Sequence, residues 1–83
     1  MTAEQVAALR AFVVARAKAY IDGSASYDAT TFTAADAAAH IGADQLATYY
    51  ALMDLDKEDL VRWYRPGDTH GYWIPMMKAA REP

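Results

Sequence analysis

The chain has 83 residues, so it holds one domain with a single small core, because at this size only about 60 to 65% of the unfolded surface leaves water on folding. It contains no cysteine, which excludes a disulfide framework, a thiolate zinc site and thiol redox chemistry. A formal net charge of −3 argues against a protein that coats nucleic acid, and with no bilayer-length apolar run and no basic stretch before an apolar one at the N-terminus, a soluble, cytoplasmic protein is expected.

The first predicted element is the longest helix. Thr2 and Gln5 form a capping box, and Val6, Leu9, Val13, Ala17 and Tyr20 continue on one helical face until Asp22-Gly23 stops it. Phe12 and Ile21 widen the apolar surface beyond that stripe. Residues 23 to 32, GSASYDATTF, read as a Ser, Thr and Gly rich connection in which Thr30 to Phe32 can act as a very short strand. Thr33 then caps a short Ala-rich helix, with Asp36 completing a second capping box. Ala34, Ala37, Ala38 and Ile41 recur at helical spacing, and Gly42 stands where a residue with positive φ closes a helix. Asp44 caps the next helix, expected from Gln45 to Lys57, with Thr48, Ala51, Leu52 and Leu55 as its buried stripe.

Beyond that helix the pattern changes from helical to extended. Leu60 to Tyr64 is β-branched and aromatic, Pro66-Gly67-Asp68 supplies turn chemistry, and Tyr72-Trp73-Ile74 resumes the aromatic run, which predicts a β-hairpin. Pro75 suits the first position of a final helix reaching about Arg81 and carrying Met76 and Met77. The expected fold is α+β and mostly α: three helices, a hairpin and a short C-terminal helix in one domain spanning residues 1–83.

The pair of helices joined by a three-residue turn has a small-residue contact, Ala38 against Ala51, of the kind a helix-turn-helix needs. Ala38, Ile41, Gly42, Ala43 and Ala51 follow the small, apolar, Gly, apolar, apolar pattern of such units, and Asp59-Leu60-Val61 sits where winged-helix proteins enter their first wing strand. The chain therefore resembles the winged helix-turn-helix superfamily of small regulators. That resemblance implies that the hairpin is a wing and that the helix from Gln45 to Lys57 recognises double-stranded DNA from the major groove.

Charge is distributed unevenly. Residues 44 to 59 hold five carboxylates (Asp44, Asp54, Asp56, Glu58, Asp59) against Lys57, whereas residues 60 to 81 hold Arg62, Arg65, Lys78 and Arg81 against Asp68 alone. On the DNA-binding reading Gln45, Thr48 and Tyr49 read bases while Arg62, Arg65 and His70 touch phosphates or the minor groove. The outward face of the motif helix has no Lys or Arg, however. This points to the alternative of a protein-interaction module, an antirepressor or assembly subunit, using Leu46, Tyr49, Tyr50 and Met53 as an aromatic contact patch. A homodimer is expected through the first helix and the C-terminal helix, from the apolar excess of Phe12, Ile21, Met76 and Met77.

Enzyme chemistry finds no support. His40 and His70 lie on different elements without a Cys or an i+4 partner, so neither marks a metal site. Asp54, Asp56, Glu58 and Asp59 form a solvated helix end. No triad spacing and no glycine-rich phosphate loop occurs, so no cofactor is expected.

Overall fold

The computed structural model describes all residues, Met1–Pro83. In chain order it contains α1 (Ala3–Ile21), α2 (Tyr27–Thr30), α3 (Ala34–Ile41), α4 (Gln45–Lys57), β1 (Val61–Tyr64), β2 (Tyr72–Pro75) and a C-terminal 3₁₀ helix (Met77–Arg81). The fold is α+β and mostly helical, with β1 and β2 forming one antiparallel hairpin. None of the helices is long and apolar enough to cross a membrane.

Local signals fix the helix ends. The Thr2 hydroxyl accepts from the Gln5 backbone N–H at 3.1 Å, and the Gln5 carboxamide accepts from the Thr2 N–H at 3.0 Å. The same Gln5 amide donates to the Gly42 carbonyl at 3.0 Å, tying the start of α1 to the turn between α3 and α4. Thr33 and Asp36 make the second capping box, and Asp44 accepts from Ala47 N–H at 3.0 Å to start α4. Gly42 closes α3 with φ of 69°, which lets the Ala43 N–H bond back to the Ala38 carbonyl at 3.0 Å. Asp59 performs the same service for α4 at φ of 63°, an uncommon conformation for a residue with a side chain, and the Leu60 N–H bonds to the Leu55 carbonyl at 3.0 Å.

The core lies where α1 crosses α4, the hairpin and the C-terminal 3₁₀ helix. Leu9, Val13, Phe32, Leu52, Leu60, Val61 and Trp73 are its largest sealed apolar side chains. Each contributes about 1.5–3 kcal/mol relative to an exposed position. Arg10 of α1 pairs with Glu58 at the end of α4 and with Glu82 at the C-terminus, so three separate parts of the chain meet at one guanidinium.

Four details differ from the pattern read in the sequence. Phe12 is core rather than surplus surface, only 8% exposed, because its ring meets Phe32 edge-on at 4.9 Å and His40 at 4.8 Å, and the Arg16 guanidinium lies 4.5 Å above it. The inward face of α1 is Leu9, Phe12, Val13, Val14 and Ala17, and Val6 and Tyr20 are exposed. The connection before Phe32 contains the single-turn α2, started by Ser26 and held to α1 by Arg16 donating to the Ala29 carbonyl at 3.0 Å. Phe32 itself contributes only an isolated antiparallel bridge to Trp73. Pro75 does not open a helix: it ends β2 opposite Val61, and the segment after Met76 winds as 3₁₀. Proline is tolerated there because its missing N–H faces no strand partner; pairing resumes when Met76 N–H donates to the Leu60 carbonyl at 3.0 Å.

Candidate nucleic-acid interface

The register of the hairpin decides which side chains share a face. Val61 pairs with Pro75, Arg62 with Ile74, Trp63 with Trp73 and Tyr64 with Tyr72. Successive strand residues alternate sides, so the Trp63–Trp73 pair faces α4 and the Tyr64–Tyr72 pair faces away. Tyr49 of α4 meets both tryptophans at near-perpendicular angles, 6.3 Å from Trp63 and 5.9 Å from Trp73, and the two indoles lie 5.0 Å apart. The Trp73 indole N–H is buried among these rings without a hydrogen-bond acceptor.

Tyr49 and Trp63, backed by the buried Trp73, form one wall of a cleft of about 600 Å³ between the first turns of α3 and α4 and the hairpin loop. Gln45 and Tyr49 enter it from α4, Arg65 from the end of β1, and Asp68, Thr69 and His70 from the loop. Thr33, Ala34 and Ala35 close the side nearest α3. The loop is a turn in which Thr69 N–H bonds to the Pro66 carbonyl at 3.1 Å. Arg65 Nε donates to the Thr69 carbonyl at 3.2 Å, which fixes the root of the guanidinium. Ion pairs in the chain engage Arg10, Lys57 and Arg62, so Arg65 meets solvent without a carboxylate partner. Asp68 also lines the cleft and offsets the Arg65 charge in part.

Four of the six residues expected to contact DNA thus come together: Gln45, Tyr49, Arg65 and His70. The other two do not. Thr48 is fully buried, and its hydroxyl donates to the Asp44 carbonyl at 2.8 Å, so it serves the first turn of α4 and is not available to a base. Arg62 lies outside the cleft and pairs with Asp56 at 3.5 Å and Asp59 at 4.0 Å, neutralising the acidic end of α4.

The residues of the alternative patch sort differently. Leu46, Tyr50 and Met53 are 60%, 58% and 40% exposed at i, i+4, i+7 spacing, forming an apolar stripe on the outside of α4. Tyr49 is half-buried and leans on Tyr50 at 5.8 Å, joining that stripe to the cleft.

Sequence reasoning missed Trp63 and Gly71 as parts of the site. A Cβ on Gly71 would lie 2.2 Å from Cζ2 and 2.4 Å from Cη2 of Trp63, so the bare glycine backbone is the seat of the indole. The signal was present in the mirror order Trp63-Tyr64 and Tyr72-Trp73 about Asp68, which sets the cross-strand register once a hairpin is assumed. Comparison with protein-family models, with curated proteins and with solved structures gives no match to this chain.

Proposed function

We propose that the chain is a winged-helix DNA-binding regulator that contacts a duplex through the first turns of α4 and the hairpin loop. The observation that carries this reading is the convergence of Gln45, Tyr49, Arg65 and His70 on one open cleft. Support also comes from the order of elements, in which a helix, a bridge residue, two capped helices and a hairpin follow one another. Phe32 bonding to Trp73 from the side opposite β1 stands where a third strand of a wing sheet would run. On this reading Gln45 bonds a base edge, the Tyr49 hydroxyl a base or phosphate, and Arg65 with His70 the backbone across the minor groove.

Electrostatics make the contact weakly cationic. Arg65 is the one permanent cation of the cleft, so the logarithm of the binding constant should fall by only about one unit per tenfold rise in salt for each chain. Titration of a labelled duplex at low salt tests this. Arg65→Ala should weaken all sequences alike and flatten the salt slope by about one unit, and Gln45→Ala should cost about 1–3 kcal/mol at one base position.

A second reading, a winged-helix module that binds a protein, is favoured by the exposed Leu46, Tyr50 and Met53 stripe, which has no Lys or Arg within it and whose one neighbouring cation, Lys57, pairs with Asp54 at 3.7 Å. No retention on duplex DNA or heparin at low salt, together with loss of a protein contact in Tyr50→Ala, would select it over the first. Both readings make the chain a binding module rather than an enzyme.

A further inference from the structure

The side of the hairpin turned away from the cleft carries a second, unrelated surface. Tyr64 and Tyr72 lie there with ring centres 5.5 Å apart, and Tyr20 and Tyr27 meet edge-on at 6.2 Å. Burial raises the Tyr72 hydroxyl above its ordinary pKa, and the neighbouring Tyr27, Tyr64 and Asp28 push it further in the same direction, so the two pairs adjoin. Four of the six tyrosines of the chain are on this side. Next to them a groove of about 450 Å³ runs between the end of α1, α2, β2 and the 3₁₀ helix. Ala17, Thr30 and Ile74 line it. Ile21 and Met77, 53% and 63% exposed, also border it, and no Asp, Glu, Lys or Arg does.

We infer that this face is where two copies of the chain pair about a twofold axis. Tyr and Met are enriched and charges depleted in the centres of protein interfaces, which is the composition found here. The groove lining carries no formal charge and meets its own copy without like-charge repulsion, the charges at the edge of the face, Asp28 beside Tyr72 and Arg62 opposite Ile74, being of opposite sign, whereas the outside of α4 would oppose Asp54 to Asp54. A twofold contact also needs projection and recess on one surface, and exposed Met77 and Ile21 stand beside the groove. With its large side chains about half exposed, the patch offers on the order of 500 Å² per chain, so two copies bury on the order of 1,000 Å², the threshold of a specific interface. Phe12, buried in the core, takes no part. Because the face lies behind the hairpin, pairing leaves the cleft of each copy open, and the inference stands whether that cleft binds DNA or not.

Sedimentation of the full chain from about 1 to 200 µM tests it, with far-UV circular dichroism confirming that each variant is folded. The wild type should reach twice the 9.1 kDa chain mass. Met77→Glu and Ile21→Lys, both at exposed positions, should each raise the dissociation constant at least ~100-fold by burying an unpaired charge at the contact. Leu46→Glu, on the outside of α4, should leave it unchanged. A wild type that stays monomeric to 200 µM, a dimer indifferent to both Met77→Glu and Ile21→Lys, or a dimer lost only in Leu46→Glu would each overturn the inference.

Discussion

Replacing Gly71 by alanine tests how the cleft wall is held. Gly71 does not need glycine for its backbone angles; what an added methyl meets is the Trp63 indole, at 2.2 Å. The ring must move. Trp63 is 39% exposed, so about 150 Å² of it is out of water, and complete expulsion would forfeit ~4 kcal/mol at ~25 cal/mol per Å². A ring that pivots and keeps half of its contacts loses about 2 kcal/mol, from which the reduced freedom of the unfolded alanine chain subtracts less than 1 kcal/mol. The net expectation is a loss of about 1–2 kcal/mol, or roughly 4–8 °C in Tm per kcal/mol for a domain of this size. Urea denaturation followed by tryptophan emission reads both effects, since Trp73 stays buried while Trp63 shifts to the red. The decisive comparison is the same substitution in a Trp63→Ala background, where it should cost nothing or stabilise slightly. Equal losses in both backgrounds would refute the packing argument and point to a backbone requirement instead.

Other expectations follow from individual contacts. Thr48→Val keeps the shape but removes the hydroxyl donor to the Asp44 carbonyl, so it should cost about 1 kcal/mol in denaturation while leaving DNA affinity unchanged, the reverse of Gln45→Ala. Asp59→Gly relieves a left-handed residue at the end of α4 and should raise stability by up to about 1 kcal/mol. Asp22 accepts both the hydroxyl and the backbone N–H of Ser24, which holds its carboxyl below the ordinary value. Such a group favours folding above its ordinary pKa, and its contribution disappears as the pH falls through the lowered one, so Ser24→Ala, which removes the hydroxyl and keeps the backbone N–H, should move the Asp22 titration seen by NMR part of the way back toward the ordinary range.

The parts legible in the sequence are those governed by neighbours in the chain. Thr2 with Gln5, Thr33 with Asp36, Asp44 and Gly42 each act within four residues, and each marks a helix end where the caps predict it. The hairpin was legible for the same reason, from its turn and its flanking aromatics. Features set by distant contacts were not. Phe12 is buried because Phe32, His40 and Arg16 surround it, which α1 alone does not encode. The single turn Tyr27–Thr30 owes its place to Arg16 reaching its carbonyls, and a four-residue helix has too little periodicity to read. For the site, Gln45, Tyr49, Arg65 and His70 could be named from position along the motif, but the rotation of α4 that hides Thr48 and the pairing that diverts Arg62 are tertiary outcomes. Charge totals misled at Arg62, counted with the basic segment yet bound to the acidic one.

The most direct test of the proposed function is titration of a fluorescent duplex with wild-type protein and with Arg65→Ala across a series of salt concentrations. The account predicts binding at low salt that weakens by about one logarithmic unit per tenfold rise in salt for each chain, with a slope about one unit shallower and uniformly lower affinity in Arg65→Ala. Absence of binding by the wild type at low salt, or binding that Arg65→Ala leaves untouched, would contradict it.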